Sequence, residues 1–221
     1  MIPVTDDKKM LGYELLSSHP NISHFVTTRH GGVGKGKYGT FNCSPYCGDD
    51  PLPVGENQKR LCSALNISPE RLIFPHQVHD TKIAVINTDY PALRVDEKMN
   101  LLDGVDAVIN RIPGYCLCVS TADCVPVLLY DDKNRVVAAI HAGWRGTVNK
   151  IVSRTLSEMH RMFGSDGKTI YAAIGPSISK EAFEVGDEVY HAFKINGFTM
   201  NEISFRNPES GKYHFDLWQA N

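Results

Sequence analysis

Two short polar runs in an apolar part of the chain contain residues that can do chemistry. The first begins at His141, which follows the apolar run 136–140 and precedes Ala-Gly-Trp-Arg-Gly. A strand, a tight glycine turn and then a helix would lift the His141 side chain out of the sheet edge. The helix start would leave free backbone N–H groups, where anions bind. Arg145 adds a guanidinium suited to phosphate or carboxylate. The competing interpretation is a packing turn with a satisfied core histidine.

The second run places Asp123 and Cys124 between two apolar segments. Taken alone, Cys124 could be a small buried apolar residue, and Asp123 could cap a turn through its own backbone. Two neighbouring strands that both break at polar residues indicate a shared cleft, however. We therefore expect Cys124 and His141 to lie together.

A third run contains His76 and His79. Two histidines three positions apart in an extended segment point to opposite faces, so at most one faces the cleft. Two histidines and a cysteine resemble catalytic zinc sites, which have three protein ligands and an open position for water. The rival interpretation is a metal-free thiolate–imidazole pair of Cys124 and His141. This pair would leave His79 without a role.

The composition favours a core-forming protein without a general affinity for polyanions. The 221 residues are 42% hydrophobic, and the net charge of −2 gives no pull toward nucleic acid or an anionic membrane. The sequence contains no apolar stretch near the roughly 18 residues of a membrane helix, and its start lacks the features of a secretory signal. We expect a soluble, cytoplasmic protein whose six cysteines are reduced.

Hydrophobic periodicity predicts a mixed α/β pattern with many strands and few long helices. Asn66 and Gly164 suit helix ends, and Asp187 suits a helix start. The polar residues 88–100 are predicted to form a surface loop or an insertion within one domain, rather than a domain linker. Strands are predicted at residues 25–28, 71–74, 82–86, 107–109, 116–120, 125–130, 135–140 and 170–174, and helices at residues 56–65, 147–162 and 186–193.

Nearly the whole chain resembles the YfiH-like laccase-domain family, also described as a polyphenol oxidase or purine nucleoside phosphorylase family. The joint presence of Thr-Ala-Asp-Cys and His-Ala-Gly-Trp-Arg-Gly is highly specific. The runs that carry the resemblance are Thr28-Arg29, Gly31-Gly32-Val33, Phe41-Asn42, Cys47-Gly48-Asp49, Glu56-Asn57, Gln77-Val78-His79, Asp106-Ala107-Val108, Thr121-Ala122-Asp123-Cys124, His141-Ala142-Gly143-Trp144-Arg145-Gly146-Thr147, Gly175-Pro176-Ser177 and Phe183-Glu184-Val185-Gly186.

The resemblance implies a fold, a metal site and a reaction. It implies a single α+β domain over residues 1–221, with a mixed sheet or β-sandwich core surrounded by helices, similar to deamidating-toxin catalytic domains. It implies Zn²⁺, with Cu²⁺ as the alternative ion, held by His79, Cys124 and His141, the first of these in preference to His76. The family continues past Asn221 into a segment that we expect this chain to lack.

The implied activity is phosphorolysis of adenosine, inosine, guanosine and S-methyl-5'-thioadenosine, with adenosine deamination as a second activity. We expect Asp123, Cys124 and His141 to be catalytic. The substrate-binding candidates are Arg29 and Arg145 for a phosphate cradle and Asn42, which the family places near the site. The expected partners are a nucleoside and phosphate, with no nucleic acid and no membrane, and the expected state is a monomer.

Three other functions remain open from the sequence. A Cys–His hydrolase could cleave amide bonds, for instance in peptidoglycan precursors, without a metal. A copper-dependent, laccase-like polyphenol oxidase would match the family's older name, but multicopper oxidation needs imidazole-rich ligand sets, whereas the chain has nine histidines and no His-x-His pair. A scaffold protein with structural zinc would close the fourth coordination position.

Overall fold

The computed structural model describes residues 1–5 and 9–221. Its strands are β1 (Ile2–Pro3), β2 (Met10–Gly12), β3 (Val26–Thr27), β4 (Leu72–Ile73), β5 (Ile83–Ile86), β6 (Ala107–Asn110), β7 (Cys116–Leu117), β8 (Val125–Asp131), β9 (Val136–Ala142), β10 (Ile170–Ile174), β11 (Glu184–Val185), β12 (Ser204–Arg206) and β13 (Tyr213–Phe215). Its α-helices are α1 (Glu14–Ser17), α2 (Pro51–Leu65), α3 (Val95–Leu102), α4 (Trp144–Val148), α5 (Ile151–Phe163), α6 (Asp187–Ile195), α7 (Met200–Ile203) and α8 (Leu217–Ala220). Short 3-10 turns join several of them.

Five strands form the central mixed sheet in the order β10-β8-β9-β6-β5. Only the β5–β6 pair within it is parallel. In the β8–β9 register, Val125 lies opposite Ala142 and Pro126 lies opposite His141. Cys124 immediately precedes β8, so this register brings it to the sheet end where His141 and Gly143 lie.

The sheet is covered on both faces, which explains why β8 and β9 are almost continuously apolar. On one face, Val127 and Ile140 pack with Met159 of α5 in the largest buried cluster. On the other face, Val108 packs with Ile73 and with Leu102 of α3. Two layers of apolar contacts therefore fix the strand ends that carry the polar runs.

The β4–β7 pair is shorter than the strands predicted at residues 71–74 and 116–120. The two strands run parallel, with Leu72 opposite Cys116 and Ile73 opposite Leu117. Two further sheets have three strands each, in the orders β1-β2-β3 and β11-β13-β12. The helix predicted to end at Asn66 does end there, with that residue in the left-handed conformation.

The single helix predicted at residues 147–162 is wrong in one respect. The chain forms α4 and α5, separated by Lys150 in the left-handed conformation with φ of 62°. The apolar periodicity runs across the break, and therefore does not reveal it. The predicted stop at Gly164 is confirmed, since this residue closes α5 with φ of 68°.

The segment predicted to be a surface loop or an insertion, residues 88–100, is not an open loop, because much of it forms helical turns. A 3-10 turn, Tyr90–Ala92, precedes α3, and the backbone N–H of Arg94 donates to Glu97 at 2.8 Å, as in a capping box. Arginine is not a usual N-cap residue, so the sequence does not indicate that a helix starts here.

The prediction that Asp187 caps a helix is wrong. Gly186 holds the N-cap position of α6, and Asp187 is the first residue of the helix.

The α+β class with a mixed sheet and surrounding helices is confirmed. No helix in the described residues, 1–5 and 9–221, has the length and apolar character needed to cross a membrane.

Candidate functional site

His79, Cys124 and His141 meet at one end of the central sheet. Each offers one ligand atom, and these atoms all lie within 4.8 Å of one another. The two imidazole rings are 4.7 Å apart between centroids and nearly perpendicular. His76 lies elsewhere: its Nδ1 pairs with Asp103 at 2.7 Å. The structure therefore joins His79, rather than His76, to the cysteine and the second histidine.

The fully buried Asp106 carboxylate positions both histidines. Its Oδ1 accepts from His141 Nδ1 at 2.7 Å and from the backbone N–H of His79 at 3.0 Å. Its Oδ2 accepts from the backbone N–H groups of Val78 at 3.2 Å and Asp80 at 2.9 Å. A carboxylate has no proton to give, so Nδ1 of His141 must be the donor. Nε2 is therefore the atom of His141 left for a metal.

The backbone at His79 is unusual, with φ of 64°. Non-glycine residues seldom adopt this left-handed conformation, and it costs free energy unless the surroundings enforce it. Here three successive N–H groups point at one carboxylate, which is the arrangement of an anion-binding nest. The interaction of these N–H groups with the Asp106 carboxylate thus offsets the cost of the left-handed backbone that places His79 at the site.

Gln77 ties the His79 loop to the segment that leads to Cys124. Its amide donates to the Ser120 carbonyl at 2.8 Å and accepts from the Ser120 N–H at 2.8 Å. Gly143 supplies the space between the three ligands. A Cβ at that position would lie 3.0 Å from His79 Cδ2 and 3.1 Å from Cys124 Sγ. The site therefore needs a residue without a side chain at Gly143.

The pKa values of the two imidazoles are shifted in opposite directions. Burial opposes a charge on His141, but the hydrogen bond with Asp106 and the neighbouring Cys124 raise its pKa to about 9. Burial and the neighbouring His141 lower the pKa of His79. Burial acts to raise the pKa of Asp106, but the hydrogen bonds from His141 and the backbone outweigh it, and the net pKa is lowered. The site thus contains an ionised carboxylate beside a basic imidazole.

A cleft of about 280 Å³ opens beside the three residues. Asp123 and Arg145 both line it, and the Arg145 guanidinium lies over the Trp144 ring at 4.4 Å. Ile178, Phe183 and Leu217 form an apolar part of the wall. The lining residues are His79, Asp123, Cys124, Trp144, Arg145, Ile178, Phe183 and Leu217.

Arg29 and Asn42, the other two substrate-binding candidates, belong to a separate loop. The Arg29 guanidinium donates twice to the Gly39 carbonyl, at 3.2 and 2.9 Å, and Asn42 donates to Asp49 at 2.9 Å. The buried Asn57 holds this loop by donating to the Asn42 carbonyl at 2.8 Å. The side-chain hydrogen bonds of Arg29 and Asn42 are thus made within the loop, and their substrate role stays a prediction.

Sequence reasoning missed Asp106, Gly143 and Gln77 as parts of the site. Asp106 carried one usable signal, an acidic residue placed directly before an apolar strand. Such a residue must be paired when it is buried. Gln77 and Gly143 lie inside the conspicuous runs, but their partners across the cleft cannot be read from the chain order.

Comparisons with known proteins identify the family and the relatives of this chain. Residues 23–221 match the family model described as multi-copper polyphenol oxidoreductase laccase. A purine nucleoside phosphorylase of Bacteroides thetaiotaomicron is 55% identical over 221 residues, covering 100% of this chain and 82% of that protein. The adenosine deaminase RL5 of an unknown prokaryotic organism is 42% identical over 208 residues, covering 94% and 79%.

Solved structures show the same fold. The hypothetical protein YfiH of Bacillus licheniformis superposes with a TM-score of 0.80 and 25% identity, covering 89% of this chain and 73% of that one. YlmD of Geobacillus stearothermophilus superposes with a TM-score of 0.78 and 29% identity, again over 89% and 73%.

Proposed function

The chain belongs to the multi-copper polyphenol oxidoreductase laccase family, and within it we propose that the protein is a zinc-dependent purine nucleoside phosphorylase with adenosine deaminase activity. Relatives that carry those two names align with nearly the whole chain. One observation carries the proposal: the ligand atoms of His79, Cys124 and His141 converge within 4.8 Å beside a cleft that contains an acid and an arginine.

The donor set fits zinc. Two imidazoles and one thiolate are typical ligands of a catalytic zinc ion, and the buried Asp106 behind His141 is the kind of partner that orients such a ligand. The missing side chain at Gly143 leaves room among the ligands. When bound, zinc would supply Lewis acidity and lower the pKa of coordinated water toward neutrality. Cu²⁺ is the alternative ion, since imidazole suits it as well.

The other cleft residues suit a nucleoside and phosphate. In phosphorolysis a phosphate oxygen bonds to the sugar carbon, the bond to the base breaks, and the base takes up a proton. Arg145 offers a fixed positive charge for the phosphate, because its guanidinium is always protonated. Asp123 is the acidic group in the cleft that can transfer a proton. Ile178, Phe183 and Leu217 provide an apolar wall against which a purine can pack.

Product analysis tests this proposal. The reduced, zinc-loaded protein is incubated with adenosine, with and without phosphate, and the products are separated by chromatography. Phosphorolysis predicts adenine and a ribose phosphate only when phosphate is present, whereas deamination predicts inosine and ammonia in both samples. His79→Ala should abolish both activities, and the matched His76→Ala variant should retain them. Absence of all these products, or equal product in the His79→Ala sample, contradicts the proposal.

A cysteine hydrolase is the second candidate, because His141 lies beside Cys124, with their ligand atoms within 4.8 Å, and pairs with Asp106. Such a triad could activate the thiol toward an amide without a metal. It predicts amide hydrolysis that survives chelation and is lost on alkylation of Cys124. Loss of activity on chelation, with recovery on adding zinc, separates the zinc enzyme from this alternative. A copper-dependent oxidase would instead oxidise phenols in air only after copper loading.

A further inference from the structure

Cys116 and Cys118 bring two sulfur atoms together on one side of the chain. They are two positions apart in an extended segment, so both side chains project from the same face. Their Sγ atoms are 3.7 Å apart and share a hydrogen bond. Both are free thiols and only partly buried, which leaves a route for a small oxidant. The pair therefore combines the proximity and the access that thiol oxidation requires.

The backbone that carries the pair is held in place by strand pairing. β7 runs parallel to β4, with Leu72 opposite Cys116, and the backbone N–H of Cys118 donates to the Ile73 carbonyl at 2.9 Å. These contacts fix the two cysteine backbones relative to each other. The second sulfur is therefore already beside the first one when the first is oxidised.

The hydrogen bond between the sulfurs makes the two thiols unequal. It lowers the pKa of Cys116, against the opposing effect of burial, and it raises the pKa of Cys118, which burial raises further. The thiolate, rather than the thiol, attacks an oxidant. Cys116 is therefore the residue that reacts first, and Cys118 is the residue that resolves the oxidised product.

We propose that Cys116 and Cys118 are a redox modification site at which hydrogen peroxide converts the two thiols into a reversible disulfide. The Cys116 thiolate attacks one peroxide oxygen, the O–O bond breaks, and the departing hydroxide takes a proton from solvent to become water. The Cys118 sulfur then attacks the sulfenic sulfur of Cys116. The S–S bond forms, the S–O bond breaks, and a second water leaves with the Cys118 proton. The thiols are oxidised by two electrons, which the peroxide takes up.

The extended backbone makes this disulfide easy to reduce again. Two residue steps along an extended chain cover up to about 7 Å, whereas the Cα atoms of a disulfide are usually roughly 5.5–6 Å apart. Bonding the sulfurs therefore draws the segment together by about 1 Å, and a strained disulfide is more readily reduced. A dithiol reductant should restore both thiols, as expected of a regulatory rather than a structural disulfide.

Contraction of this segment would reach the loop that carries a candidate metal ligand. Ser120, two residues after Cys118, exchanges two hydrogen bonds of 2.8 Å with Gln77, which lies two residues before His79. Drawing Cys118 toward Cys116 pulls Ser120 along the chain. Oxidation should therefore weaken the Gln77–Ser120 contact. This consequence follows from the hydrogen bonds of the loop and is independent of the proposed activity.

Peptide mapping tests the proposal. The full-length protein carries Cys124→Ser, so that the cleft thiol cannot react, and it is reduced, freed of reductant and treated with equimolar hydrogen peroxide. Remaining thiols are alkylated. The tryptic peptide 112–133, whose only cysteines are then Cys116 and Cys118, is analysed by mass spectrometry. It should lose two hydrogens, take up no alkyl group, and regain both alkylation sites after treatment with dithiothreitol.

Two variants in the same background provide the controls. Cys118→Ser should abolish the internal disulfide, whereas Cys47→Ser, which removes an exposed cysteine, should leave its formation unchanged. Alkylation of both Cys116 and Cys118 after peroxide treatment overturns the proposal. So does a Cys116 that carries oxygen beside a Cys118 that is still alkylated, or a disulfide from either residue to a different cysteine.

Hydrogen exchange measured by NMR tests the effect on the Gln77–Ser120 contact. The Ser120 amide should exchange at least about tenfold faster in the oxidised protein than in the reduced protein, because it loses its acceptor on Gln77. The amide of Leu129, in the middle of β8, is the internal control and should exchange equally in both forms. Equal exchange of the Ser120 amide in the two forms would contradict an effect of the disulfide on the His79 loop.

Discussion

Asp106 and His141 form a buried pair, with Oδ1 of the carboxylate 2.7 Å from Nδ1 of the imidazole and both side chains almost fully excluded from solvent. The same carboxylate holds the backbone of the His79 loop through three N–H groups. One charge therefore sets the ring orientation of one candidate ligand and the left-handed backbone of the other. Asp106 therefore affects metal binding indirectly, by positioning His79 and His141.

Removing that charge should weaken metal binding more than it weakens the fold. Asp106→Asn keeps the shape of the side chain but offers one acceptor oxygen where the carboxylate offers two. We expect zinc affinity at the cleft to fall about 10- to 100-fold, as for other partners behind metal ligands. Competition with a chromophoric chelator measures the affinity.

Asp103→Asn is the matched control for this change, because Asp103 pairs with the exposed His76 in a similar geometry. It should leave zinc affinity unchanged. Equal affinity loss in both variants would indicate a general effect of charge on the molecule.

Gly143→Ala should crowd the candidate ligands. The added Cβ would lie 3.0 and 3.1 Å from His79 and Cys124, tighter than ordinary contact. We expect zinc affinity to fall about tenfold, because the ligand side chains must move by a few tenths of an ångström and a functional site needs its groups held within about 0.5 Å of the right geometry. The matched control is Gly55→Ala in α2, where no atom lies within 4 Å of the new Cβ, and which should add up to about 1 kcal/mol of stability. Unchanged zinc affinity in Gly143→Ala would contradict the ligand geometry.

Arg145→Ala should impair phosphate use while sparing the metal. A hydrogen bond to a charged group contributes about 1.5–3 kcal/mol, so the KM for phosphate should rise on the order of 10- to 100-fold. Zinc content should stay the same. Arg161→Ala, which breaks only the surface pair with Glu158, serves as the control. If Arg145→Ala has the same KM for phosphate as the wild type, Arg145 does not bind phosphate.

Asp131 should make the fold sensitive to acid. The side chain is fully buried at the end of β8, and it accepts hydrogen bonds from Asn134 and Thr169. Burial acts to raise its pKa, but the neighbouring Ser165 hydroxyl and the hydrogen bonds from Asn134 and Thr169 bring the pKa below the usual 3.8.

The sign of the pH effect follows from this lowered pKa. The folded state favours the ionised form, so the stabilisation is present above pH 3.8 and is lost as pH falls through the lower folded pKa. Urea unfolding at a series of pH values measures it. Asp131→Asn should lower the free energy of unfolding by about 1–3 kcal/mol at neutral pH and flatten the decline in acid. If the free energy of unfolding of Asp131→Asn falls with decreasing pH as steeply as that of the wild type, other groups cause the acid sensitivity. The control is Asp89→Asn, on the exposed surface, which should show the same decline as the wild type.

Local sequence patterns predicted two of the three candidate ligands and most strands of the central sheet. Polar residues at the ends of apolar runs marked Cys124 and His141, and the family resemblance favoured His79. Asp106 escaped notice because its role depends on β6 lying beside β9, a pairing that chain order does not show. The α4–α5 break at Lys150 and the start of α3 at Arg94 escaped for a different reason, since both use residues with weak local preferences for those positions.

The dependence of nucleoside turnover on zinc is the decisive measurement for the proposed enzyme. The protein is stripped with a chelator, and adenosine phosphorolysis is followed while Zn²⁺ is titrated back into wild type, His79→Ala and His76→Ala. If the enzyme depends on zinc held by His79, we expect little activity without metal. Activity should recover on zinc addition in wild type and His76→Ala, but not in His79→Ala. Full activity in the stripped wild-type protein, or equal recovery in His79→Ala, would contradict it.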